Sequence, residues 1–253
     1  MTGMHFVLLV AAGVAAGLVG SVAGLASLFS YPALLATGIP PVSANVTNTV
    51  ALVLNSVGSV SASGPELRGQ RARLIRLAPA GLLGGVTGAV LLLLTPSSAF
   101  EKLVPFLIAG ASVAILVQRP PRQLAADAAA HPHRDHGGLV VGTFAISIYG
   151  GYFGAAAGVL MLAMILFVTG EGVPRGNALK NVVLGVANSV AAIGYAFFAD
   201  VAWLAALPLA LGFFLGGRLG PAVVRRVPQT MLRRVIAVAG LGLAVHLGLD
   251  AFR

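Results

Sequence analysis

The chain has 253 residues, 58% of them hydrophobic and only 9% charged, with a mean hydropathy of +0.95. Such usage lies far from that of water-soluble domains and describes a polytopic helical membrane protein with no separate soluble domain. The formal net charge of +9 would suit nucleic acid, but all sixteen Lys and Arg fall in polar breaks or near span ends, as cytoplasmic loops require, so no nucleic-acid partner is expected; the lack of cysteine rules out disulfides, thiolate catalysis and Cys-ligated metals.

The first apolar segment, 4–36, opens in MTGMHFVLLV, which lacks the basic n-region of a secretory signal and reads as mature structure. It continues as GLVGSVAGLASLFSYP, Gly17 to Pro32, where glycine, serine and proline stand in places a simple spanning helix would give to leucine. Two readings are open: a small-residue packing face on an ordinary span, or a sharp bend inside the membrane that glycine permits. The second segment, 42–62, carries Asn45, Asn48, Asn55, Ser56 and Ser59. A basic loop follows with Arg68, Arg71, Arg73 and Arg76, which suits anionic lipid, and then segments 74–95 and 103–117.

The stretch QRPPRQLAADAAAHPHRDHG, 118–137, is predicted to be a linker from its Pro, Ala and His content, and it divides a first unit, 1–117, from a second, 138–253. Its His131, His133 and His136, with Asp135, have metal-binding chemistry, but histidines in such a loop are more simply solvated. Segments at 138–169, 177–198, 202–217 and 232–249 complete the chain.

The two units match. Gly17, Gly20 and Gly24 recur 134 positions later as Gly151, Gly154 and Gly158; Pro41, Asn48, Asn55 and Ser56 recur 133 later as Pro174, Asn181, Asn188 and Ser189. The chain has six asparagines, and all lie in or at the start of the second segment of a unit. Repeated halves of this kind are a transporter signature.

Charge decides the orientation of the repeat. Eight simple crossings would place eight basic residues on each side, against the positive-inside bias. If 138–169 instead enters and leaves on one side, the loops 64–76, 118–137, 170–180 and 218–234 share a face with fourteen basic residues, and only Lys102 and Arg253 lie opposite. Those four loops are then cytoplasmic. By the repeat, 4–36 is a hairpin too. The expected fold is an all-α polytopic membrane protein of two inverted repeats, each one re-entrant or broken helical hairpin plus three transmembrane helices.

In such a hairpin the returning half-helices, near Leu28 to Ala36 and Val159 to Val168, would aim N–H groups and positive dipole ends at the midplane, where an anion could sit. The spacing of Asn45, Asn48 and Asn55, and of Asn177, Asn181 and Asn188, puts each trio on roughly one helical face. Neutral amide and hydroxyl donors can hold an oxoanion without trapping it. Interhelical bonding as structural glue is the plainer alternative, above all for Asn45 and Asn177. All seven acids, Glu66, Glu101, Asp127, Asp135, Glu171, Asp200 and Asp250, lie in breaks or at span ends, which disfavours a proton or sodium antiporter built on a buried carboxylate. His246, inside the last segment, could titrate but reads more plainly as a packing residue. Nucleophile-elbow, zinc-protease and Walker patterns are absent, so no enzyme is expected.

The run GVAAGLVGSVAGLASLFSYPALLATGIPPVSANVTNTVALVLNSVGS from Gly13, followed by ELRGQRARL and LAPAGLLGGVTGA, resembles the first half of the TauE/SafE family of sulfite and organosulfur anion exporters. GGYFGAAAGVLML with GVPRGNALKNVVLGVANS resembles its second half. Small residues stand where the family shows a dense glycine run. The resemblance covers nearly the whole chain apart from the linker, and it implies a bacterial inner-membrane carrier of sulfite, sulfonates or related small carboxylate anions; the repeat suggests export by alternating access, one half rocking or sliding against the other.

The expected site lies between the hairpin tips, at Gly20, Gly24 and Ser27 and at Gly154 and Gly158, with Asn48, Asn55, Ser56, Asn181, Asn188 and Ser189 as donors. No metal and no cofactor are expected. The expected partners are the lipid bilayer and a small anion; a homo-oligomer is left open, as are a carrier of another carboxylate or inorganic anion and a non-transporting membrane scaffold.

Overall fold

The computed structural model describes residues 3–130, 136–226 and 230–251. Their helices are α1 (Gly3–Ala23), α2 (Ser27–Leu35), α3 (Pro41–Ser61), α4 (Gly64–Leu67), α5 (Arg71–Leu94), α6 (Ser97–Val117), α7 (Pro121–Ala130), α8 (His136–Tyr152), α9 (Ala157–Thr169), α10 (Val173–Phe198), α11 (Trp203–Val224) and α12 (Thr230–Ala251). Among the described residues there is no strand. Proline opens several spans where its missing N–H costs nothing: Pro41 begins α3, Pro174 lies in the first turn of α10, and Pro96 precedes α6.

Among the described residues, five helices are long and apolar enough to cross a membrane: α1, α5, α6, α10 and α11. α3 has the 21 residues of α1 but carries Asn45, Asn48, Asn55 and several Ser and Thr, which hold its hydropathy below theirs. These polar side chains are inside, with Asn45, Thr47, Asn48 and Ser59 almost fully buried. The exterior is apolar instead, as Leu204, Leu207, Leu211, Leu215 and Leu219 show along α11. That is the polarity of a multi-pass membrane protein, whose outer face meets hydrocarbon.

Both glycine-rich segments break into two helices. Gly24 takes φ +77° after α1, and Gly154 takes φ +76° after α8. Each pair then returns. His5 near the start of α1 and Thr37 after α2 line the same surface pocket, and Gly142 early in α8 lies against the Met164 side chain late in α9. α1 is nevertheless longer than a half-helix, being itself of spanning length.

Packing crosses between the two units. α1 lies along α11 and α8 along α5, so closely that a Cβ on Gly17 would come within 2.7 Å of the Phe213 carbonyl oxygen. α3 packs on α11 and on α10, α10 on α5, and α6 on α12. Without a hydrophobic drive between helices in lipid, such backbone approach supplies the dispersion contacts that hold spans together. The Arg175 guanidinium at the start of α10 donates to the Arg68 carbonyl beyond the end of α3 at 3.1 Å, and Ser43 at the start of α3 faces Asp200 beyond the end of α10 at 3.4 Å. α3 and α10 therefore run antiparallel.

One face gathers the charge. Glu171 pairs with Arg73 and, at 3.2 Å, with Arg175; Glu66 takes a fork from Arg225 at 2.7 and 3.0 Å. The Arg225 hydrogen bonds hold the Glu66 carboxyl below its ordinary pKa against the burial that would raise it. Burial also works to raise Glu171, but the Arg73 hydrogen bond and the two guanidinium charges outweigh it and lower it on balance.

The predicted linker is not simply a loop. Its residues Pro121–Ala130 form α7, which packs on α9, with Ala128 buried and its carbonyl beside Gly170. The Ala-rich run has the strongest intrinsic helix preference, and Pro121 supplies a start. The cluster of His131, His133, Asp135 and His136 falls outside the described side chains.

Candidate functional site

The two broken hairpins meet at their turns. Gly24 and Gly158 touch through their backbones, and Tyr31 of α2 packs edge-on against Phe153 of the second turn with ring centroids 5.4 Å apart. A broken helix buried in protein must find partners for its last carbonyls. Here the donors come from the opposite unit. The Ser21 carbonyl of α1 accepts from the Asn177 amide at 2.7 Å, and the Tyr152 carbonyl of α8 accepts from the Asn45 amide at 2.8 Å. Within the second unit, the Tyr195 hydroxyl donates to the Gly151 carbonyl. Asn45 and Asn177 thus fill the structural role open to them from sequence.

A cavity of about 50 Å³ lies at this junction, lined by Ser27, Asn55, Ser56, Lys180, Asn181 and Asn188 among its polar residues. Its floor is small: Gly20, Gly24, Gly150, Gly154, Ala157 and Gly158. Nine of the eleven residues expected from sequence line it together: Gly20, Gly24, Ser27, Asn55, Ser56, Gly154, Gly158, Asn181 and Asn188. Asn48 and Ser189 do not.

Asn48 stands one layer behind. Its amide nitrogen donates to the Ser27 hydroxyl oxygen at 3.1 Å, and its amide oxygen accepts from the Ser30 hydroxyl at 2.5 Å. With its oxygen already accepting, the Ser27 hydroxyl keeps its own proton to donate into the cavity. The half-helix N-termini offer less than the sequence suggests. Leu28, Phe29 and Ser30 N–H donate to the Leu25 and Ala26 carbonyls, and Ala157, Val159 and Leu160 N–H donate to Gly154 and Ala156. The turns consume these six donors, but the Ser27 and Gly158 N–H groups beside the cavity are not among them.

The charge pattern places Lys180 in the basic loop 170–180. It sits inside α10 instead, only 1% exposed, with its ammonium donating to the Gly20 carbonyl at 3.1 Å and the Ser21 carbonyl at 3.3 Å. The signal that could have found it is its place three residues after Asn177 and one before Asn181, within the helical register of the buried Asn face. Among the described residues no carboxylate lines the cavity, and no group of three or more His, Asp or Glu could hold a metal.

The profile of the family described as Sulfite exporter TauE/SafE matches residues 9–247. The chain is 26% identical over 245 residues to the "Probable membrane transporter protein ORF9" of Sinorhizobium sp, covering 93% of this chain and 89% of that one. It is 27% identical over 230 residues to a "Probable membrane transporter protein" of Haemophilus influenzae, covering 89% and 88%. It is 24% identical over 242 residues to the "Probable membrane transporter protein YfcA" of Escherichia coli strain K12, covering 93% and 87%. No solved structure gives a significant match.

Proposed function

The chain belongs to the TauE/SafE family, and from that premise we propose that it carries a small oxoanion, sulfite or an organosulfonate by preference, out across the bacterial inner membrane. The observation that carries this reading is the cavity where the hairpins meet, with hydroxyl, amide and ammonium donors and no carboxylate around it. Donors without acceptor charge suit an anion and disfavour a cation. Binding by neutral amides and hydroxyls, weak one by one, lets the ion leave.

Two inverted repeats, 1–117 and 138–253, account for the antiparallel course of α3 and α10 and for the crossed packing of α1 on α11 and α8 on α5. Alternating access then follows from one repeat rocking against the other about the junction of the two turns. The face holding Arg73, Arg175 and Arg225 is cytoplasmic by the positive-inside bias. Substrate specificity is tested by flux from liposomes holding the purified protein, with sulfite, sulfoacetate, taurine, sulfate, acetate and chloride offered in turn. Saturable sulfite or sulfonate flux supports the reading. Silence for every anion from folded protein turns it toward a scaffold.

A further inference from the structure

Resting on the reading of the chain as an anion carrier, we propose that Lys180 is the cationic ligand of the transported oxoanion, which it takes up by exchanging its bonds to the end of α1 for bonds to the substrate. Among the described residues, Lys180 is the one charged side chain lining the cavity. Among the described residues it makes no ion pair; those found join Arg73 and Arg175 to Glu171, Arg225 to Glu66 and Arg119 to Asp127. Two carbonyl dipoles do not neutralise a buried ammonium, which leaves a strong attraction for an anion entering the space beside it. An ammonium has three N–H donors, and the carbonyls of Gly20 and Ser21 take two.

The bonds that hold Lys180 are replaceable. The Gly20 carbonyl also accepts from Gly24 N–H at 2.8 Å, and the Ser21 carbonyl also accepts from Asn177 at 2.7 Å. Release of the ammonium therefore leaves neither carbonyl without a partner, so the exchange avoids the cost of an orphaned buried acceptor. Lys180 belongs to the second unit and Gly20 and Ser21 to the first, so an anion that draws the ammonium away also removes a bond between the units. A cavity of about 50 Å³ holds one compact oxoanion head. The repeat supplies no second cation. The 133-residue offset places Thr47 opposite Lys180, and the Thr47 hydroxyl oxygen accepts from the Ala202 N–H at 2.9 Å instead. One anion per chain is the expected stoichiometry.

The test uses the purified full chain in detergent, titrated calorimetrically with sodium sulfite at constant ionic strength, and the same protein in liposomes for flux. Lys180→Gln keeps a donor for the Gly20 and Ser21 carbonyls and removes the charge. It is expected to weaken sulfite binding about tenfold or more with the unfolding transition preserved. Wild-type sulfite affinity in folded Lys180→Gln overturns the assignment of Lys180 while leaving the carrier reading intact. A wild-type chain that neither binds nor carries sulfite, methanesulfonate, sulfate or acetate overturns the carrier reading itself. If Lys180→Gln does not fold, Lys180→Arg decides, because a planar fork presents its donors differently from an ammonium. Its preference for sulfite over acetate should change, and an unchanged preference overturns the proposal.

Discussion

Gly24 and Gly158, one from each broken hairpin, pack backbone against backbone, so that a Cβ on Gly24 would come within 2.6 Å of the Val159 nitrogen. Gly24 also holds φ +77°, a conformation that other residues adopt at a cost. Gly158 has no such backbone demand, and the atoms nearest to a Cβ there all belong to Gly24. Gly158→Ala should therefore destabilise by overpacking alone, about 1–3 kcal/mol, and Gly24→Ala by more because strain adds to it. Thermal unfolding of the two variants in detergent checks the order; equal or negligible losses would mean that the turns do not meet as described.

Asn48 and Asn188 look alike in sequence and differ in the fold. Asn48→Leu takes the partner from the Ser27 hydroxyl and leaves Ser30 only the Ala26 carbonyl, at about 1–3 kcal/mol for the buried group left unpaired. Asn188 lines the cavity and is half-buried. Asn188→Leu should hold its unfolding temperature and lose anion flux, whereas Asn48→Leu should lose both. Melting curves read beside liposome flux separate the two, and the same loss of stability in both variants would contradict the assignment.

Much of this arrangement was legible in the sequence because its cause is local. Glycine clusters broke both hairpins, and hydropathy marked the spans. The 133-residue offset brought Asn55 and Asn188 to one cavity. What the sequence hid was tertiary. Lys180 looked like a loop cation because α10 begins at Val173, before its apolar stretch, and only packing against α1 shows the side chain to be buried. The run of alanines in the linker looked structureless until α9 offered a surface for α7. The N–H groups of Leu28, Phe29, Ser30, Ala157, Val159 and Leu160 are engaged by tight turns that form only once the chain bends.

The topology can be read with single cysteines, since the chain has none of its own. Val173 and Asp200 lie at opposite ends of α10, a helix of spanning length. Val173→Cys should be labelled from the cytoplasm and Asp200→Cys from the periplasm by an impermeant maleimide in cells and in inverted vesicles. Labelling of both from one side would remove the span and with it the inverted repeat.

Acid should loosen the basic face. Glu66 and Glu171 have carboxyl pKa values depressed in the folded chain, Glu66 through the Arg225 hydrogen bonds and Glu171 through Arg73 and Arg175 once burial is overcome. A depressed folded value means that unfolded chain binds the proton more tightly. The stabilisation is therefore complete above the ordinary carboxylate range and is lost as pH falls through the depressed values. The arginines are partly exposed, with side chains between 34% and 45% accessible, so screening limits each pair to about 1 kcal/mol or less. The unfolding temperature should be flat from neutral pH to the ordinary carboxylate range and fall below it. Glu171→Gln should show the loss already at neutral pH and a shallower acid limb. A variant with an acid limb as steep as that of the wild type would assign the sensitivity to groups other than Glu171.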